Sequence, residues 1–206
     1  MSSKIITIFN QIAYNVLSAL YQPFWAALLL AFMAMFLYLY AREHGWKKKN
    51  LVRNIFLTWG RNFRESSAFR RTFLLAFYTA MILFRTVLNR TIWFDPLGKI
   101  FGSWGLYEDG ELTTEAIENC ILFLPFSVLL LWAFRRELLG DGQISFRNTV
   151  WQATKVVGVF SFVIELSQLL FHLGTFQFSD LCYNTLGGSF GGMIYYLGWK
   201  IQQRKK

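Results

Sequence analysis

Apolar residues along the chain gather into long, nearly uninterrupted runs. A helix of roughly 17–25 predominantly apolar residues crosses the hydrocarbon core of a bilayer, which is about 30 Å thick. The first run, 23–41, contains no charged residue. Runs that meet or approach the spanning length lie at 23–41, 73–89, 119–134, 150–171 and 181–199. The pattern therefore predicts an all-α integral membrane protein, built as a five-helix transmembrane bundle.

The segment 1–22, which precedes the first run, has a different pattern. Its apolar residues recur at helical spacing and are separated by polar ones; they are Ile5, Ile8, Ile12, Val16 and Leu20. A helix with one apolar face is typical of a segment that lies in the membrane interface. We therefore predict an interfacial amphipathic segment at 1–22 and one membrane domain at 23–206. A short sixth span is the alternative for the N-terminal segment.

The composition also favours a bilayer over water as the solvent. Apolar residues make up 54% of the chain and charged residues 16%, whereas soluble domains carry about 25% charged residues. The net charge of +9 would suggest a nucleic-acid partner in a soluble protein. Here the basic residues are concentrated in the loops between apolar runs, so membrane topology accounts for them and no nucleic-acid partner is predicted.

The loop charges predict the orientation of the chain in the membrane. Lys and Arg are enriched in loops that stay in the cytoplasm. Residues 42–72 contain nine Lys and Arg against two Glu, and the tail after the fifth run is basic as well. Residues 90–118 contain six Asp and Glu against two basic residues. The pattern predicts an N-terminus outside and a C-terminus in the cytoplasm.

Polar residues within the runs are concentrated in the predicted outer half of the membrane. Charged groups are costly inside a bilayer, so each such residue indicates a functional site. The candidate ligand-binding residues are Arg85, Arg90, Asn119, Glu165, Gln168, Asp180 and Asn184, with Glu118 at the start of the third run. We predict a polar pocket that opens to the outer leaflet, where two arginines face at least two carboxylates. The alternative is internal charge pairing, in which Arg85 or Arg90 neutralises Glu165 and Asp180 caps the fifth helix.

A catalytic role is a further alternative for the two carboxylates. Glu165 and Asp180 are candidates for general acid and general base, because paired carboxyl groups often carry out this chemistry. The sequence does not fix the distance between them, so no catalytic residue is assigned. The chain has two His and two Cys, and none of them falls in a spacing typical of metal ligands. No metal and no cofactor is predicted.

The fifth run contains a glycine pattern. The sequence GGSFGG places Gly187 four residues before Gly191, and Gly188 four residues before Gly192. Small residues at this spacing allow the backbones of two membrane helices to approach closely. We therefore predict tight packing of the fifth helix against its neighbours.

Three motifs in order resemble the VanZ-like family. The stretch from Glu165 to Gly192 contains ExxQ followed by DxxxNTxG; the earlier segments ENCILFLPFSVLL and TVLNR resemble the family's third span and the end of its second. The likeness begins near Phe73, and it departs from the family pattern at Ser127, where a glycine is expected. Carried over by position, the shared polar residues are Arg90, Asn119, Glu165, Gln168, Asp180 and Asn184.

The resemblance implies a protein of the bacterial plasma membrane that is connected with reduced sensitivity to lipoglycopeptide antibiotics of the teicoplanin type. The leading hypothesis is an outer-leaflet pocket that binds a membrane lipid, a lipid-linked envelope precursor or the antibiotic. A membrane-embedded hydrolase or transferase acting on a lipid-linked substrate is the second hypothesis, and a lipid transporter is the third. The sequence does not indicate which oligomeric state the protein adopts.

Overall fold

The computed structural model of the chain describes residues 2–44, 51–105, 107–108, 111–142 and 144–204. Within them the chain is helical apart from loops and one small hairpin. The helices are α1 (Ser2–Tyr21), α2 (Phe24–His44), α3 (Leu51–Glu65), α4 (Ser67–Leu83), α5 (Glu115–Ala133), α6 (Arg135–Leu139), α7 (Phe146–Phe171) and α8 (Phe178–Arg204). A π-helical turn, Phe84–Leu88, continues α4. The strands β1 (Tyr107–Glu108) and β2 (Glu111–Leu112) pair antiparallel.

The five apolar runs fall on α2, on α4 with its π-helical turn, and on α5, α7 and α8. Three helical segments among the described residues are long and apolar enough to cross a membrane: Ser67–Leu88, Glu115–Ala133 and Phe146–Phe171. Shorter apolar helical stretches lie at Ile5–Ser18 and Phe24–Met35. The predicted all-helical membrane fold is confirmed, and the number of five spans stays a prediction. Helix α8 covers the fifth run, and its glycine and tyrosine residues make it less apolar than the other three.

Helix α8 packs between α5 and α7 through its glycines. Gly187 and Gly191 face α5, and Gly188 and Gly192 face α7. A Cβ atom on Gly188 would lie 2.6 Å from the side chain of Val157 in α7. One on Gly192 would lie 2.8 Å from the Cβ atom of Ala153, also in α7. No side chain larger than hydrogen fits at such distances without a shift of the helices. The predicted tight packing of this helix is confirmed.

Polar contacts between helices reinforce this packing. Ser127 is fully buried, and its hydroxyl donates to the backbone oxygen of Gly188 at 2.8 Å. The hydroxyl of Tyr78 donates to the backbone oxygen of Leu122 at 2.9 Å, which joins α4 to α5. Buried hydroxyl groups need such partners, because an unpaired polar group is costly in an apolar surrounding. The departure from the family pattern at Ser127 therefore supplies a hydrogen bond between α5 and α8.

The basic segment after α2 forms an aromatic contact with the bundle. Trp59 of α3 stacks on Phe63 at 4.9 Å between ring centroids and lies 4.6 Å from Phe32 of α2. It also meets Phe73 of α4 edge to face at 5.9 Å. Aromatic pairs in these arrangements are worth about 0.5–1.5 kcal/mol each beyond the area that they bury. Helix α3 is thereby held against α2 and α4.

Two loops dock on each other at the end of the bundle where α7 ends and α8 begins. The loop 89–105 runs beside the loop 172–177, and backbone N–H groups connect them at intervals. The bonds join Trp93 N to His172 O at 2.6 Å, Phe176 N to Pro96 O at 2.9 Å, and Phe178 N to Ile100 O at 2.8 Å. The two loops therefore form one cover over the helix ends that carry the predicted site.

Candidate functional site

The predicted site residues lie at this covered end of the bundle, but they divide into two groups. Arg85 and Arg90 line an open cleft. Glu165, Gln168 and Asn184 are buried between helices, at 2%, 4% and 3% exposure. Asn119 and Asp180 are partly buried between the two groups. The sequence predicted a single pocket, and the structure separates an open cleft from a buried polar network.

The ion pair in the cleft joins the π-helical turn to α5. Arg85 Nη2 lies 2.9 Å from Glu118 Oε2, with 21% and 10% of the two side chains exposed. The other carboxylate oxygen of Glu118 accepts a hydrogen bond from Asn15 of α1 at 2.8 Å and another from Thr114. Both oxygens of this carboxylate are thus satisfied, by donors from three parts of the chain. Arg85 therefore pairs with Glu118 rather than with Glu165.

The cleft around this pair has a volume of about 480 Å³ and lies between α1, the π-helical turn and α5. Its polar lining includes Asn15, Ser18, Gln22, Arg85, Asn89, Arg90 and Glu118. Arg90 is exposed, and its Nε donates to the backbone oxygen of Arg85 at 3.3 Å. The rest of its guanidinium group reaches toward Gly174. Arg90 thus presents a guanidinium group to the cleft, and its charge also acts on Asp180 and Glu165.

The buried network holds α7, α8 and the π-helical turn together. Glu165 accepts the backbone N–H of Gln177 at 2.9 Å, directly before α8 begins. The N-terminus of a helix is the positive end of its dipole, so a carboxylate is stabilised there. Asn184 donates to the hydroxyl of Ser161 at 2.9 Å, and Gln168 donates to the backbone oxygen of Thr86 at 2.7 Å. Each bond connects two segments that are distant in sequence.

Asp180 and Asn119 occupy the boundary between the two groups. Asp180 lies in the first turn of α8, where negative charge suits the helix dipole. The side chain of Asn119 lies beside its carboxylate, and the charges that act on it come from Glu115, Arg90 and Arg85. Arg85 and Arg90 are therefore near enough for their charges to act on Asp180, whereas the direct ion pair of Arg85 is with Glu118.

The site also contains residues outside the seven predicted ligand-binding residues. They are Asn15, Thr114, Glu118, Ser161 and Gln177. Glu118 directly precedes Asn119, so its position at the start of the third run indicates that it lies near the site. Asn15 lies on the polar side of the N-terminal helix, but no pattern in the sequence indicates that this helix contacts α5.

Exposed aromatic and aliphatic side chains follow the cleft in the loop 92–104. Phe94 is 94% exposed and Phe101 is 79% exposed. The others are Ile92, Trp93, Leu97 and Trp104, each more than half exposed. Aromatic side chains of this kind are enriched where proteins meet the membrane interface. The end of the bundle therefore combines a charged cleft with an adjacent apolar surface, which we call the aromatic loop.

Gly102 holds the aromatic loop against α8. Its φ angle is +66°, and a Cβ atom there would collide with the hydroxyl of Ser179 and lie 2.7 Å from Gln177 Oε1. We expect Gly102→Ala to release the loop, since overpacking and the strained backbone together cost about 1–3 kcal/mol. Limited proteolysis of the detergent-solubilised protein measures this as faster cleavage within 89–105. Gly105→Ala is the matched control, because Gly105 also has a positive φ, +92°, but nothing lies within 4 Å of its Cβ position. Equal cleavage rates in the two variants would contradict the proposed contact.

The sequence of this chain has relatives among known proteins. The sequence profile of the VanZ/LLP1 family matches residues 24–199. Protein VanZ of Enterococcus faecium is 33% identical over 92 residues, which cover 45% of this chain and 50% of that protein. The match thus spans about half the length of this curated relative. No solved structure matches the chain.

Proposed function

Because this chain belongs to the VanZ/LLP1 family, we propose that it lowers bacterial sensitivity to lipoglycopeptide antibiotics of the teicoplanin type. The observation that carries the proposal is the open cleft with Arg85, Arg90 and Glu118, directly beside the aromatic loop. A lipid-linked envelope molecule and an acylated glycopeptide both join charged groups to a long apolar chain. The cleft and the loop offer one surface for each of these parts.

The charged part of the ligand binds through the arginines. A guanidinium group forms paired, charge-assisted hydrogen bonds with phosphate or carboxylate oxygens. Arg85 is already paired with Glu118, so Arg90 is the residue that is available to an anionic group. Asn89 and Gln22 supply further amide donors and acceptors around it. A ligand with an anionic group fits this lining.

The orientation proposed for the chain brings this cleft to the outer surface of the plasma membrane. The sequence 90–118, which follows the π-helical turn, is acidic, and the sequence 42–72, which precedes most of α4, is basic. Basic loops stay in the cytoplasm. An N-terminus outside and a C-terminus in the cytoplasm therefore place the cleft on the side where glycopeptide antibiotics act.

The burial of Glu165 supports binding rather than acid–base catalysis. Its side chain is held by the N–H of Gln177 beneath the docked loops and is 2% exposed. A general acid or base must come within hydrogen-bonding distance of the reacting group. Glu165 meets this requirement only if the loops move away. We assign it a positioning role at the start of α8.

The test compares two antibiotics in a susceptible host that carries the native chain, a variant or no copy. We expect the native chain to raise the inhibitory concentration of teicoplanin and not that of vancomycin, because the two drugs differ in the acyl chain. Arg90→Gln is expected to lose most of this protection, since it removes the available guanidinium group from the cleft. Growth inhibition on a dilution series measures the effect.

Arg136→Gln is the matched control for this experiment. Arg136 lies in α6, is 83% exposed and pairs with Asp141 at 3.3 Å, outside the cleft. The amount of each variant in the membrane is measured by immunoblot. If Arg90→Gln protects as well as the native chain at equal amounts, the cleft is not the binding site. If the native chain protects equally against both antibiotics, the proposed recognition of an acyl chain is wrong.

A further inference from the structure

A second polar cleft lies at the opposite end of the bundle, where α4 begins and α5 ends. It has a volume of about 430 Å³ and is bounded by residues of α4, α5, α6 and α8. Two arginines, Arg71 and Arg135, line it together with the aromatic side chains of Trp132, Tyr195 and Trp199. In the part of the chain that the structure describes, no Asp or Glu lines this cleft.

The two arginines converge inside the cleft. The guanidinium carbon of Arg71 lies 5.1 Å from the centroid of the Trp132 ring, and this cation–π contact fixes its position. Both Arg71 and Arg135 lie within electrostatic range of the hydroxyl group of Tyr195. Two positive charges near one phenol repel each other, and an anion bound between them offsets this repulsion. The cleft therefore favours an anionic ligand.

Unused hydrogen-bond donors point to the same kind of ligand. Arg71 Nε and Trp199 Nε1 are both buried, and neither has a hydrogen-bond partner among the described residues. Buried donors are nearly always paired in native proteins, so two of them in one cleft indicate an absent acceptor. A phosphate group carries only acceptor oxygens and matches the planar guanidinium group.

We propose that this cleft binds the phosphate group of an anionic glycerophospholipid. The lining favours a lipid over free phosphate, because apolar side chains continue from the cleft along α8 toward the bilayer. Ile194 in the cleft is 47% exposed, and Phe190 and Leu186, which precede it along α8, are 47% and 48% exposed. Basic pockets between membrane helices bind lipid head groups in this way. The inference does not depend on the function proposed for the opposite end.

The experiment measures lipid binding to the purified full chain in detergent. Native mass spectrometry compares phosphatidylglycerol with phosphatidylcholine of the same acyl chains, and thermal unfolding is followed with each lipid. We expect the native chain to bind phosphatidylglycerol and to be stabilised by it. Arg71→Gln and Arg135→Gln are each expected to weaken this binding by about tenfold, the effect of losing one charge-assisted hydrogen-bond donor.

Two further variants keep the result decisive. Arg136→Gln removes a neighbouring positive charge that lies outside the cleft, so we expect it to bind the lipid like the native chain. Trp199→Phe keeps an aromatic ring and removes a single buried N–H. It tests the cleft without removing a charge, and it replaces Arg71→Gln in the test if that variant does not fold. We expect Trp199→Phe to weaken binding of phosphatidylglycerol severalfold.

Three outcomes would overturn the proposal. Equal binding of phosphatidylglycerol and phosphatidylcholine would exclude recognition of an anionic head group. An equal loss of binding in Arg136→Gln would show that the effect is one of overall charge rather than of this cleft. Displacement of phosphatidylglycerol by millimolar inorganic phosphate would assign the cleft to free phosphate instead of a lipid.

Discussion

Gly191→Leu is expected to separate α8 from α5 and to lower the unfolding temperature of the protein sharply. A Cβ atom on Gly191 would lie 2.7 Å from the Cβ atom of Ser127 and would also collide with the backbone oxygen of Leu124. The second contact is with backbone, so rotation of a side chain cannot relieve it. Overpacking in a core typically costs about 1–3 kcal/mol of stability and occasionally more. We expect Gly191→Leu to lose an amount near the upper end of this range. Tryptophan fluorescence during heating in detergent measures the change, because the chain contains eight Trp.

Gly198→Leu is the matched control on the same helix. Gly198 lies two turns after Gly191, and nothing lies within 4 Å of its Cβ position. Leucine is a better helix former than glycine by nearly 1 kcal/mol, so this variant should unfold at the same temperature as the native chain or slightly above it. Similar losses in the two variants would mean that leucine in α8 is harmful in itself and that the contact of Gly191 with α5 is not the cause.

The positions of the helices could be predicted because they depend on a local pattern. The run 119–134 became α5, Glu115–Ala133, and the run 150–171 became α7, Phe146–Phe171. Both helices begin four residues before the apolar run, since backbone hydrogen bonding continues into polar residues at the end of a span. Apolar periodicity reports where a helix contacts lipid or protein, and it does not report where the helix starts.

The partners of the polar residues could not be predicted, because they depend on how distant segments meet. Glu118 and Glu165 both lie near arginines, yet Glu118 pairs with Arg85 and Glu165 accepts the N–H of Gln177. The second bond exists only because the loop 172–177 turns back over the end of α7. The contact of Asn15 with Glu118 likewise requires α1 to reach α5. Neither arrangement has a signature in sequence spacing.

The motif residues have two separate tasks in this arrangement. Glu165, Gln168 and Asn184 bind α7, α8 and the π-helical turn to one another through buried hydrogen bonds. The π-helical turn in turn carries Arg85 into the cleft. Single-turn π segments occur frequently at functional sites. The buried network therefore holds the π-helical turn that carries Arg85, and it lies outside the lining of the cleft.

Arg85→Gln is expected to destabilise the protein more than the loss of a surface ion pair would. The pair that Arg85 forms with Glu118 is largely shielded from water, at 21% and 10% exposure. Removing one partner leaves a charge whose burial is no longer compensated, which costs about 3–5 kcal/mol for a fully buried pair. Since this pair borders an open cleft, we expect about half of that value. Asn15 and Thr114 still donate to Glu118 in this variant, so the loss of stability is smaller than for a carboxylate without any donor.

A double-mutant cycle separates the ion pair from the rest of the cleft. Glu118→Gln removes the opposite charge, and the combined variant with Arg85→Gln leaves no uncompensated charge. We therefore expect the double variant to be more stable than the sum of the two single effects predicts, by about 1–2 kcal/mol of coupling. Thermal unfolding of all four chains in the same detergent measures this coupling. Strictly additive effects would mean that the two side chains do not interact, and the cleft would then present both charges to a ligand.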